Sequence, residues 1–182
     1  MAIINIKSKE RKPAALLFFM FFSIVSATIT GASVRDAVFL TQFDKSYLPV
    51  MFITIAVVMA GVIALYKKLT AGQDQIFVIS ISGALFSVSL FLLQSNLSGL
   101  FIPVLYIWME VVTILSIFQF WILAGEVFNA RQAKRIFTLM GAGGSFAGMG
   151  AGYGIKPFVS TFGSENLLFL TIFFIGISVV MA

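Results

Sequence analysis

Cysteine and histidine are both absent from the 182 residues of this chain. Without them the chain cannot form disulfides, a thiolate nucleophile or an imidazole base, and it lacks most of the ligands that zinc prefers. Charged residues are also scarce, at 10% of the chain. We therefore expect no catalytic residue, no metal site and no cofactor, and we interpret the chain as a protein other than an enzyme.

Apolar residues are abundant, at 60% of the chain, and 21 residues are Phe. This composition predicts a membrane protein, because a soluble domain exposes far more polar surface. Six almost uncharged stretches are each long enough to cross a hydrocarbon core of ~30 Å as a helix. They lie at about 14–40, 48–66, 76–93, 100–123, 138–159 and 166–182. The predicted fold class is an all-α, multi-pass membrane protein, with a basic segment at 1–13 before a six-helix unit at 14–182.

The positive charges favour one side of these spans. Nine of the twelve Lys and Arg residues precede the first span or follow the second and fourth, and three lie on the other side. Cytoplasmic loops carry such an excess, so we predict that both ends of the six-helix unit face the cytoplasm. Arg131, Lys134 and Arg135 are interpreted as topology and anchoring residues, on a short amphipathic helix at the membrane surface. The basic excess is then a topology signal, and no nucleic-acid partner is expected.

Seven glycines crowd the segment "GAGGSFAGMGAGYG" that follows these cations. Glycine beside Lys and Arg occurs in phosphate-binding loops, but neither the dinucleotide fingerprint nor the Gly-Lys-Ser/Thr ending of a P-loop is present. The spacing of Gly144, Gly148 and Gly152 instead matches the small-xxx-small pattern of helices that pack closely in membranes. We expect these three glycines to face another helix.

A few charges interrupt the apolar stretches, where each costs at least ~2.5–3.5 kcal/mol unless it has a partner or a watery cavity. Glu110 lies within the fourth stretch, with Tyr106 on the same helical face. Arg35 and Asp36 come late in the first stretch, and apolar residues resume after them. Two interpretations stay open for these charges. They either line a solute-binding cavity, or they are a structural Glu and an ordinary surface pair.

Several of these segments resemble one family. "VRDAVFLTQF", "YIWMEVVTILSIFQFWILAGEVFNARQAKRIF" and "GAGGS" are similar to the ATP/ADP translocases, nucleotide transporters of intracellular bacteria and plastids within the major facilitator superfamily. The resemblance implies the N-terminal half of such a transporter, a 3+3 inverted repeat in a bacterial inner membrane. It also implies that Glu110 acts in transport and that Arg35 replaces a functional lysine beside Asp36. An Arg keeps the charge but changes its geometry.

The resemblance further implies partners. Family members have twelve helices and place the solute between two six-helix halves, whereas this sequence has six. We therefore expect the lipid bilayer, a second six-helix half and a nucleotide-like anionic solute as partners, with Arg35, Asp36, Tyr106 and Glu110 as the substrate-binding residues. The alternative is a facilitator-like membrane module that anchors or regulates attached domains without transport.

Overall fold

A computed structural model describes residues 8–95 and 97–182, without the side chains of residues 8, 9, 130, 131, 134 and 135. The anchoring role expected for Arg131, Lys134 and Arg135 therefore lies outside the described side chains. Six α-helices account for nearly all of the described backbone. They are α1 (Ser8–Gln42), α2 (Leu48–Thr70), α3 (Gln75–Gln94), α4 (Phe101–Val127), α5 (Ala130–Phe162) and α6 (Leu167–Met181).

Four of these helices, α1 to α4, are long and apolar enough to cross a membrane. This finding supports a membrane protein. The six predicted helices are all present, but α5 and α6 are not both long enough and apolar enough to be counted with these four. Helix α6 has 15 residues, which extend only about 22 Å. Helix α5 has 33 residues, but its mean hydropathy is reduced by glycines and by the cations in its first turns.

Short polar turns join the helices. Asp44 caps the 3₁₀ turn Lys45–Tyr47 before α2, and its carboxylate accepts a hydrogen bond from the backbone N–H of Ser46 at 2.8 Å. This bond lowers the pKa of Asp44, because it favours the charged carboxylate. Asp74 caps α3 in the same way, accepting from the backbone N–H of Phe77. Such caps satisfy backbone donors that the first helical turn leaves without partners.

The connection between α4 and α5 differs from the prediction. We expected α5 to start near residue 138, after a surface-lying amphipathic segment, but α5 begins at Ala130 and continues without interruption. Asn129 and Gln132 form a capping box, in which each side chain bonds the other's backbone N–H at 3.1 Å. The basic segment is thus the first part of a long helix, and only Phe128 and Asn129 separate the two helices.

Helix α1 is the centre of the bundle and packs against α4, α5 and α6. Helix α3 packs on α4 and α6, and α2 lies outside against α4. At the contact of α1 with α4, Gly31 lies against Met109, and a Cβ at this position would require the flexible end of the Met109 side chain to move. Thr30 hydrogen-bonds Thr171 across α1 and α6 at 2.9 Å. The first of these contacts lies between the two helices that carry Arg35 and Glu110.

The expected glycine face of α5 is only partly correct. A Cβ at Gly144 would lie 3.1 Å from the ring of Phe21 on α1, but a Cβ at Gly148 or Gly152 would meet nothing within 4 Å. Residues exactly four apart drift about 40° around a helix of 3.6 residues per turn. The buried stripe of α5 instead follows Met140, Gly143 and Ala147. Of the three predicted glycines, Gly144 contacts α1, and the buried small residues Gly143 and Ala147 lie one position before Gly144 and Gly148.

We predict that Gly143→Val destabilises the bundle by about 1–3 kcal/mol, the usual cost of overpacking. A Cβ at Gly143 would lie 3.2 Å from both the ring and the carbonyl oxygen of Phe18, and a backbone oxygen cannot move aside without disturbing α1. Gly148→Val is the matched control, since it makes the same residue change in open space. Thermal unfolding in detergent checks this, and equal losses for the two variants would contradict the packing described for α5.

A second prediction concerns which helices cross the membrane. Because the chain has no Cys, single cysteines can be introduced at Ser46, Gln73 and Ser164 and labelled with a membrane-impermeant maleimide on intact cells. We expect Ser46→Cys and Ser164→Cys to react from outside, and Gln73→Cys to react only after lysis. Protection of Ser164→Cys on intact cells would show that α5 does not cross.

Candidate functional site

An ion pair joins α1 to α4 within the apolar part of the bundle. The guanidinium of Arg35, through Nη1, donates a hydrogen bond to Oε2 of Glu110. Arg35 lies about two turns before the end of α1, and Glu110 about two and a half turns after the start of α4. Both therefore lie inside helices long enough to span. Each charge provides the partner that the other needs in an apolar environment.

Two further predicted residues complete this cluster. Nε of Arg35 donates to Oδ1 of Asp36 at 3.0 Å. The guanidinium carbon lies 4.5 Å from the ring centre of Tyr106, a distance at which a cation is attracted to the aromatic face. Arg35, Asp36, Tyr106 and Glu110 were all expected as substrate-binding residues, and the structure brings them together. We refer to these four residues as the Arg35 cluster.

The Arg35 cluster is open on one side. The side chain of Arg35 is 13% exposed, that of Glu110 31% and that of Asp36 51%. Tyr106 is buried beneath them and stacks near Phe39. Carboxylates with this much exposure cannot face hydrocarbon at an acceptable free energy. The surface that carries Asp36 and Glu110 must therefore face water, a polar cavity or another protein.

The void found inside the bundle beside this cluster is too small for a solute. The void between α1, α4 and α6 measures about 10 Å³ and is lined by Met109 and by hydroxyls that include those of Thr28 and Thr113. That volume corresponds to about one water molecule. A solute at the Arg35 cluster would have to bind on its open face.

A separate polar network was not predicted. Gln119 on α4 is 3% exposed, and its amide lies 2.9 Å from the hydroxyl of Ser82 on α3. Its backbone carbonyl accepts from Gln75 Nε2 at 3.3 Å. The signal was present in the sequence, because a Gln within an apolar span needs an interhelical partner. These bonds join α3 to α4, and we assign them a structural role.

Comparisons of the chain with protein-family models, with curated proteins and with solved structures found no match. The resemblance to nucleotide translocases therefore depends on the sequence segments quoted above, and the functional argument depends on the Arg35 cluster itself.

Proposed function

We propose that this chain is one half of a membrane transporter that exchanges a phosphate-bearing anion, with a nucleotide as the first candidate. The observation that carries the proposal is the ion pair between Arg35 and Glu110 on an open face within spanning helices. A fixed guanidinium in a site of low dielectric is well suited to phosphate, because its planar fork binds two oxygens at once.

The charges of the cluster favour a mechanism in which Arg35 pairs either with Glu110 or with the phosphate of the solute. One cation and two carboxylates leave a net negative charge when all are ionised, so an incoming phosphate would be repelled by Glu110 and Asp36. Binding then requires Glu110 to release Arg35, through displacement or through uptake of a proton. In either case Arg35 recognises the solute and Glu110 acts in ion coupling or gating. Tyr106 holds the guanidinium in place from below.

The arrangement of helices supports a 3+3 inverted repeat. In such a repeat α1 is equivalent to α4, α2 to α5 and α3 to α6. The contact of α1 with α5 is then equivalent to the contact of α4 with α2. The contact of α1 with α6 corresponds in the same way to that of α4 with α3. The contact of α1 with α4 joins two equivalent helices, and so does the contact of α3 with α6. This correspondence is expected when two triplets repeat, and such repeats rock as units during alternating access.

A second half is part of the proposal. The void beside the cluster is about 10 Å³, whereas sites for small molecules occupy ~300–1,000 Å³. A second six-helix half that faces Asp36 and Glu110 would enclose the solute and remove these carboxylates from lipid. Further sequence of this chain, another chain or a second copy could supply that half.

Nucleotide binding tests the proposal directly. We predict that ATP at millimolar concentration raises the unfolding temperature of the protein purified together with its second half, because a ligand that binds only the folded state stabilises it. Adenosine, which has the base and sugar but no phosphate, is the control and should have little effect. If ATP has no more effect than adenosine, the phosphate assignment is wrong.

One observation favours a second candidate, a membrane module that anchors or regulates other domains without transport. The absence of a solute-sized void beside the cluster is what a bundle that binds no solute would show. In that case Arg35 and Glu110 would serve only to fix α1 against α4. The two candidates differ in the ATP experiment, since the module should not respond to nucleotide.

A further inference from the structure

A groove separates α2 from α3 on the side of the bundle away from the Arg35 cluster residues. Helix α2 makes its main contacts with α4, so its second half stands apart from the first half of α3. The resulting space measures about 530 Å³ and is lined almost wholly by apolar side chains from α2, α3 and α4. Its walls include Leu69 of α2, Ile81 of α3 and Trp108 of α4. Leu69 is 66% exposed and Ile81 53%, so the groove is open to the surroundings of the bundle.

Tyr66 forms part of the wall of this groove. Its ring is held edge-on by Phe118 of α4, with ring centres 6.0 Å apart. The hydroxyl of Tyr66 is buried, and no described residue accepts or donates a hydrogen bond to it. An occupant of the groove therefore contacts the wall that the Tyr66 ring helps to form and does not reach the hydroxyl.

Positive charge lies at the end of the groove. Lys67 and Lys68 occupy the last turn of α2, next to groove residues Tyr66 and Leu69. The acidic residue closest along the chain, Asp74, already accepts a hydrogen bond from the backbone N–H of Phe77. Lysines at a helix end extend to the membrane surface, where they attract anionic headgroups.

We propose that this groove binds an anionic phospholipid. One acyl chain lies along the apolar walls, and the phosphate contacts Lys67 and Lys68. The dimensions fit, because the stretch from Val62 to Thr70 covers about 12 Å of helix, most of the ~15 Å depth of one leaflet. Tyr66 lies about one turn from the end of α2, the depth at which Tyr side chains meet the interfacial region.

A transmembrane helix from a partner fits the same groove less well. The apolar face of such a helix would place no negative charge beside the two lysines. The phosphate group of an anionic lipid supplies that charge. This lipid site uses none of the Arg35 cluster residues. Its experimental test is therefore independent of the test of the proposed transport function.

Trp108 makes the proposal testable, because it lines the groove and the chain has only one other Trp, Trp121. The Trp121→Phe protein is reconstituted in phosphatidylcholine vesicles that contain increasing fractions of phosphatidylglycerol with brominated acyl chains. Bromine quenches Trp fluorescence on contact. We expect half-maximal quenching of Trp108 at a roughly twenty-five-fold lower fraction of brominated phosphatidylglycerol than of brominated phosphatidylcholine, since each of the two lysines near the surface contributes about a fivefold preference.

Two variants and an internal control make the result specific. Lys67→Gln combined with Lys68→Gln should remove the preference for the anionic lipid, whereas Lys45→Gln, at the opposite end of α2, should retain it. The Trp108→Phe protein, in which Trp121 reports from the α1–α5 side, should respond equally to both lipids.

Equal quenching of Trp108 by both lipids would mean contact with bulk lipid only, and no quenching would mean that another helix covers the groove. Either result overturns the proposal.

Discussion

Replacing Arg35 by Ala is expected to destabilise the chain by about 1–3 kcal/mol, and replacing Glu110 as well is expected to restore much of that loss. Removing one partner from a fully buried ion pair costs ~3–5 kcal/mol, because the remaining charge has no compensation. The cost should be smaller here, since the Glu110 side chain is 31% exposed. With both residues replaced, no charge is left without a partner, so the two effects cannot be additive.

A double-mutant cycle with Arg35→Ala, Glu110→Ala and the combined variant measures this coupling through unfolding in detergent. Asp36→Asn is the matched control. It removes a carboxylate from the same cluster, but one that is 51% exposed, so its effect should be within about 0.5 kcal/mol of zero. Additive losses in the cycle would mean that Arg35 and Glu110 do not interact in solution.

Most helix positions followed from the sequence because length and hydropathy determine what can cross a membrane. Helix α3 was predicted at 76–93 and lies at Gln75–Gln94. The start of α5 was missed because it depends on a local backbone motif. Asn129 followed three residues later by Gln132 is a capping-box pattern, and it marks the helix start in the midst of charged residues where hydropathy gives no signal.

The members of the Arg35 cluster could be predicted, but their mutual arrangement could not. A charged residue in an apolar span can be recognised from the sequence, and the spacing of Tyr106 and Glu110 places both on one face of α4. The pairing of Arg35 with Glu110 joins residues on two helices far apart in the chain. It depends on how α1 packs against α4, where Gly31 lies next to Met109. The spacing of residues along the chain does not reveal such packing.

The glycines of α5 show the same limit on a smaller scale. Spacing alone could not distinguish the row of Gly144, Gly148 and Gly152 from the row that begins one residue earlier. Both rows consist of small residues, so the choice depends on which side of α5 faces Phe18 and Phe21 of α1. The groove between α2 and α3 was likewise not predictable, because it results from the position of α2 against α4.

Nucleotide exchange should respond differently to changes at the two ends of the ion pair, and this is the largest functional effect that we expect. In vesicles that contain the transporter with its second half, Arg35→Ala should weaken nucleotide binding by roughly ten- to a hundredfold. This corresponds to the ~1.5–3 kcal/mol of a charged hydrogen bond to phosphate. Arg35→Lys should retain part of the binding, because it preserves the cation but loses the planar fork that binds two oxygens. Loss of binding in both variants would point to misfolding.

Glu110→Gln should leave binding unchanged or make it tighter while it slows exchange by at least about tenfold. An amide is neutral and no longer competes with phosphate for the guanidinium of Arg35, which explains the binding. The same amide cannot carry or release a proton, and it cannot attract Arg35 back as strongly after the solute leaves, which explains the slow exchange. Binding by equilibrium dialysis and exchange by uptake of labelled ATP into ATP-loaded vesicles separate the two quantities. If Glu110→Gln weakens binding as much as Arg35→Ala does, Glu110 contacts the solute directly and the proposed competition for Arg35 is wrong.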